Sequence, residues 1–332
     1  MSTPLGIAVS GGPRPSEIIE LVVLAESLGY DSAWIAEGHG GDQFSVLSGC
    51  ALQTSRIRLG TAISSIFVRS IPTIAMAAAT VDDLSHGRFI LGLGSSHRVQ
   101  VVPEHGLEYA KPITRLRESV AIIRQLLATG ATQFDGETVK IENFDLWFQP
   151  RRTALPIYAA AVRPKMMAVC GEIADGIILT RSTLQTGTQA KTQLATGAAL
   201  ADRDPSKIEV TSLLPVAVAE TRAEALNAMR PGLMFYVGFF PRYRQMIADY
   251  GFVEETSAVA DAFAKGERDQ AQRHVTDAMI EASSIAGTPR ECRERIEAYR
   301  ASGIDLPIIS PFARGPNAKA TFEAVIRACA PS

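Results

Sequence analysis

Several short clusters in this 332-residue chain carry the residue types that do chemistry. Glu37-Gly38-His39 sets a carboxylate beside an imidazole, a pairing suited to proton transfer or to hydrogen bonding a ligand carbonyl. Ser95-Ser96-His97-Arg98 puts small hydroxyls next to a second imidazole, and Ser64-Ser65 is another small polar break. Arg163-Pro164-Lys165 places two cations around a proline where an apolar run gives way to a helical one. The free amides of a helix start, with Arg and Lys at hand, form an anion site. Each cluster also reads as an ordinary solvated turn. His86 reads as a cation at a helix end and His274 as a surface residue, while His105 stays open. Glu37, His39 and His97 do not read as a metal site, because the first strand ends in Ser10-Gly11-Gly12 without a ligand side chain. Ser-His-Asp hydrolysis lacks a nucleophile-elbow sequence.

The elements that must position these clusters alternate. The organising stretch runs from residue 58 to 98. A short apolar strand over 57–63 is followed by the Ser64-Ser65 break and a loop with Arg69. A helix over 72–84 has Ile74, Ala77, Ala78 and Val81 on one face, and a second apolar strand follows over 88–93. Gly87 stops the helix. Strands apolar throughout belong to a parallel sheet covered by helices, where ligands sit beyond the carboxyl ends of the strands. The same pattern predicts strands over 5–9, 31–36, 156–161, 175–180, 208–218 and 306–310, with helices between them. After Arg98 comes a loop with His105 and Tyr109, then a helix over 113–127. Residues 134–149 read as a hairpin turning at Asp135-Gly136, a small excursion on top of the sheet. The expected fold is α/β, a single (β/α)8 barrel domain over 1–332. A helical insertion over about 221–285, after strand seven, is placed over the mouth. Its aromatic run Met234 to Phe240 suits either an apolar substrate pocket or a core.

Bulk composition narrows the function. A net charge of −2 gives no global electrostatic case for nucleic acid or an anionic membrane. No apolar run approaches the roughly 20 residues that span a bilayer. The cysteines at 50, 170, 292 and 329 are scattered, which predicts free thiols in a reducing cytoplasm.

Trp34 to Gly38, Arg56 to Thr61, Gly87 to Gly94 and Gly171 to Gly176, in this order and spacing, resemble the luciferase-like monooxygenase superfamily. Within it the chain is most similar to oxidoreductases of the methylene-tetrahydromethanopterin reductase type, which use the deazaflavin coenzyme F420. The resemblance covers nearly the whole chain. It implies a barrel with an insertion after strand seven, a cofactor at the carboxyl ends of the strands, and a homodimer acting on a small organic substrate. It also implies a non-prolyl cis peptide at Ala62-Ile63. Cofactor contacts are implied at Glu37, Ala62, Ile63, Ser65, Ser95, Ser96, Val162, Arg163, Lys165 and Met166, and Thr180 falls near the substrate. FMN is the alternative cofactor, in a monooxygenase of the same superfamily, and a cofactor-binding homologue without catalysis is a third alternative. Two departures stand out. In the sugar-phosphate dehydrogenase branch the acidic residue is followed directly by a catalytic His, where this chain has Gly38. That branch has a Glu proton acceptor where this chain has His97. His39 and His97, with Glu37, are therefore the catalytic candidates by position.

Overall fold

A computed structural model describes residues 3–9 and 11–331. Ser10, expected at the end of the first strand, lies outside the described residues. The barrel strands are β1 (Gly6–Val9), β2 (Ser32–Ile35), β3 (Arg58–Thr61), β5 (Phe89–Gly94), β8 (Ile157–Ala160), β9 (Gly176–Thr180), β10 (Glu209–Val218) and β12 (Leu306–Pro311). Each pairs in parallel with its neighbours, and pairing of β10 with both β9 and β12 closes the ring. The two-residue β4 (Ser64–Ser65) continues β3 beside β5.

The wrapping helices are α1 (Pro15–Ser27), α2 (Gln43–Gln53), α3 (Ile71–Leu84), α4 (Arg98–His105), α5 (Pro112–Thr129), α6 (Pro164–Ile173) and α7 (Thr186–Leu200), with α13 (Pro289–Ala301) and α14 (Ala318–Ala328) near the end of the chain. Their starts are written locally. Asp42 and Ser70 cap α2 and α3 through their side chains, and prolines open α1 and α6. Inside the barrel, Trp34, Tyr158, Ile90, Ile178 and Ile308 form one buried layer. The indole of Trp34 donates to Ser32 Oγ at 2.9 Å and lies so close to Gly60 that a Cβ there would sit 2.4 Å from the ring. The centre of the barrel is thus packed solid, and open space begins only at the mouth.

Between β10 and the next strand come α8 (Arg222–Phe239), α9 (Pro241–Asp249), α10 (Val253–Ala264), α11 (Arg268–Arg273) and α12 (Asp277–Ser283). They bury a core of their own, with Leu233, Val237, Ile247, Val259 and Met279 among its members. Val162 and Tyr243 pack against that core, which joins the helical segment to the mouth. No helix among the described residues is long and apolar enough to cross a membrane.

Two expectations need correction. The segment after Arg98 is not simply a loop: α4 forms there, starting from amides that bond His97 O at 2.9 Å and ending at Gly106, φ +67°. Pro103 hides this helix in the sequence, since proline removes a backbone donor and usually breaks a helix. The insertion is not helical to its end. Residues Ile285–Gly287 form β11, which pairs with the last residues of β10 and is too short to announce itself. The hairpin, β6 (Ala131–Asp135) with β7 (Lys140–Asp145), is anchored on α5, where Glu118 accepts the amides of Glu137, Thr138 and Val139 at 2.6–3.0 Å.

Candidate active site

A cavity of about 430 Å³ opens at the carboxyl ends of the barrel strands. Its floor is made of small groups from three neighbouring segments: Ala62 and Ile63 after β3, Gly94 and Ser95 at the end of β5, and Ala160 and Ala161 at the end of β8. The peptide between Ala62 and Ile63 is cis, as the resemblance implies. A Cβ on Gly94 would stand 2.7 Å from Ile63 side-chain atoms and 3.3 Å from Ala160, so only glycine fits here without displacing the floor. Tyr236, Phe240, Arg242 and Tyr243 of the helical segment wall the far side.

Glu37 stands at one end. Arg69 Nε donates to Glu37 Oε1 at 2.8 Å, and Ser64 Oγ and the Ser65 amide donate to Oε2 at 3.3 Å. Arg69 also pairs with Asp42. Burial alone would push the Asp42 carboxyl up, but hydrogen bonds from Ser45 and Arg69 outweigh it and hold the carboxyl near 2. Glu37 is therefore a fixed acceptor, with its carboxylate oriented by a guanidinium.

His97 lies in the cavity wall against the rings of Phe240 and Tyr243, both with centroids 4.7 Å away. Burial first, and the nearby positive charge of Arg242 second, lower its pKa to about 4. The imidazole is neutral at pH 7, and its Nδ1 is buried with no partner among the described residues. Ser96, φ +51°, turns β5 toward this histidine, and Ser95 and Ser96 both line the cavity.

At the other end β8 runs into α6. Val162, Arg163, Lys165 and Met166 all line the cavity. Arg163 occupies the N-cap position but its side chain does not cap the helix. Arg163 pairs instead with Asp249 of α9, whereas Lys165 has no ion-pair partner among the described residues. This is the expected convergence of helix start and cations, with one cation already neutralised.

Other candidates fall outside. The His39 side chain is 79% exposed and sits 3.3 Å from Glu104 of α4, so Glu37 and His39, separated by one residue in sequence, point apart. It is not among the residues lining the cavity, and the expected role of His39 in catalysis finds no geometry there. Ser65 is 1% exposed, with Oγ accepting from the Phe67 amide; it holds Glu37 rather than facing the open space. Thr180 ends β9 and likewise does not line the cavity. Sequence reasoning missed Arg69 as the partner of Glu37, and Arg242 and Tyr243 as wall residues. Only the aromatic run at 234–240 signalled that wall. No group of three or more metal-ligating side chains is assembled among the described residues.

A parallel barrel with its cavity at the carboxyl ends, roofed by helices after the seventh barrel strand, defines an enzyme-type architecture. The profile of the luciferase-like monooxygenase family matches residues 2–306, and the chain belongs to that family. It is 31% identical to 5,10-methylenetetrahydromethanopterin reductase of Archaeoglobus fulgidus over 315 residues, 93% of each chain. The solved structure of coenzyme F420-dependent tetrahydromethanopterin reductase from Methanopyrus kandleri superposes with a TM-score of 0.86 at 26% identity, covering 98% of both chains. An F420-dependent secondary alcohol dehydrogenase shares the fold, with a TM-score of 0.79 at 21% identity and 99% coverage of both chains.

Proposed function

We propose that this protein is an oxidoreductase that binds coenzyme F420 and moves a hydride between C5 of the deazaflavin and a small organic substrate. The observation that carries this reading is the floor of Ala62, Ile63, Gly94 and Ala160, ended by an oriented carboxylate on one side and an uncapped, cationic helix start on the other. A planar ring with N–H donors at one edge and a phosphorylated side chain at the other matches that sequence of groups. Two of the similar proteins named above carry F420 in their names, which supports the same cofactor here.

The coenzyme would supply the hydride chemistry. The chain's own part is to place it. Glu37 accepts hydrogen bonds at the ring edge, while Ala62, Ile63 and Gly94 back the ring face. Lys165, with Arg163 and the amides of α6, receives the phosphate. His97 stays neutral at the wall, with Nδ1 free to accept or pass a proton. The aromatic roof excludes water from the ring. The same reading includes a homodimer in a reducing cytoplasm, a setting supported by the buried, unbridged thiols of Cys50, Cys170, Cys292 and Cys329.

The test is to titrate the apoprotein with F420 and with FMN while following ring fluorescence. F420 should bind at micromolar concentration and FMN far more weakly; tight FMN binding without F420 binding refutes the proposal. Arg163→Ala combined with Lys165→Ala should weaken F420 much more than its dephosphorylated form. Equal losses would remove the anion site from the reading.

A further inference from the structure

Arg181 follows the last residue of β9 and is 3% exposed, with its backbone in the left-handed region at φ +49°. Its Nε and Nη1 are buried and have no partner among the described residues, and no carboxylate there forms an ion pair with it. Arginine cannot shed its proton to escape such a site. Burying an unpaired charge costs several kcal/mol even after relaxation. The guanidinium carbon lies 4.1 Å from the centre of the Tyr236 ring, which eases that cost without cancelling it.

The surroundings say what the charge faces. Tyr236 and Tyr243 both line the cavity, with ring centroids 5.2 Å apart, and Tyr243 meets His97 at a tilt of 54°. Neither phenol makes a hydrogen bond to a described residue. Burial raises the Tyr243 phenol well above its ordinary value, so it remains a donor at neutral pH. Arg242 adds a second cation to the same wall, and the described residues give it no carboxylate partner. Two phenol hydroxyls on the cavity wall, backed by a buried guanidinium that is not itself among the lining residues and with a further arginine beside them, present donors and positive charge and no acceptor of negative sign.

We infer that the hydroxyls of Tyr236 and Tyr243, backed by the buried guanidinium of Arg181, form an oxyanion subsite next to His97, and that the substrate of the hydride transfer carries a carboxylate which this subsite holds. The inference rests on the oxidoreductase reading for which side of the ring is the substrate side, but the subsite can be tested without the coenzyme. Arg181 acts here as a specificity-determining residue, and its buried charge is compensated when the substrate anion arrives.

The probes are benzoate and its uncharged isostere benzamide, titrated calorimetrically into the apoprotein. Wild type should bind benzoate at least tenfold more tightly than benzamide. Arg181→Met should lose that preference while keeping its melting temperature at or above the wild-type value, since an unpaired buried charge has been removed. Should Arg181→Met fail to fold, Tyr236→Phe with Tyr243→Phe removes the two donors and should weaken benzoate several-fold with benzamide unchanged. The proposal is overturned if wild type does not prefer benzoate. It is equally overturned if Arg181→Met, or the double phenylalanine variant in its place, keeps the preference, or if Arg181→Met melts lower and still binds benzoate. A coenzyme arm separates the two sources of an anion: F420 and its dephosphorylated form should bind Arg181→Met as they bind wild type. A loss confined to the phosphorylated form would assign the guanidinium to the coenzyme and overturn the inference. Failure of F420 to bind wild type would strike the oxidoreductase reading alone, leaving the benzoate result to stand.

Discussion

Replacing His97 with phenylalanine should flatten the acid side of the stability curve. In the unfolded chain a histidine titrates near 6.5, whereas burial and Arg242 hold the folded imidazole to about 4. A folded pKa that is depressed means the unfolded state takes up its proton first. Stability is therefore intact above pH 6.5 and falls as pH drops through the interval down to 4. The full difference of 2.5 units corresponds to about 3 kcal/mol at 1.36 kcal/mol per unit, and about 2 kcal/mol of it is gone by pH 5. Phenylalanine keeps an aromatic ring against Phe240 and Tyr243, so stability at pH 7 should shift by no more than about 1 kcal/mol. The assay is urea unfolding followed by circular dichroism at half-unit steps from pH 7.5 to 4.5. The other histidines, at 39, 86, 105 and 274, are common to both proteins, so the difference between the curves isolates His97. Parallel curves, or an imidazole resonance titrating near 6.5 in the native protein, would refute the assignment of a neutral His97.

Gly94→Val should close the floor: with a Cβ 2.7 Å from Ile63, coenzyme binding drops at least tenfold in a fluorescence titration, and overpacking costs about 1–3 kcal/mol by chemical unfolding. Glu37→Gln keeps the shape but leaves Arg69 with Asp42 as its sole carboxylate partner, so F420 affinity should fall about tenfold, within the range of a lost charge-assisted bond, while the melting temperature moves little. Glu118→Ala removes the acceptor of three hairpin amides and should cost about 1–3 kcal/mol, with amide exchange of residues 137–139 speeding up and coenzyme binding unchanged.

The barrel was legible because its signals are local and repeated. Apolar runs such as Phe89–Gly94 are buried along their whole length, and Pro15, Pro72, Gly87 and Gly130 mark helix ends where chemistry demands them. What failed was short or contradictory. Pro103 argued against α4, yet the helix needs only a few bonds and the burial of Val101 to persist. β11 is three residues long and exists only because the end of β10 offers it an edge.

The site was legible in proportion to how much of it lies at the carboxyl end of a strand. Ala62, Ile63, Ser95, Ser96, Arg163, Lys165 and Met166 are carried into the cavity by β3, β5 and β8 themselves, so the position in the pattern fixes the position in space. His39 and Glu37 share a loop, and there proximity in sequence says nothing about direction. Arg69, thirty-odd residues away, claims the carboxylate, while Glu104 on the unforeseen α4 draws the imidazole outward. Tyr236, Arg242 and Tyr243 reach the cavity from the helical segment after β10, whose packing depends on contacts far apart in sequence. Arg181 is the sharpest instance. Its sequence context is a polar residue after an apolar strand, which reads as solvent-facing, and only the fold reveals that helices from the insertion have closed over it. A buried cation that local pattern places outside is the kind of inconsistency expected where function overrides foldability, and that is why the wall built by the helical segment was hidden from the sequence while the floor built by the strand ends was not.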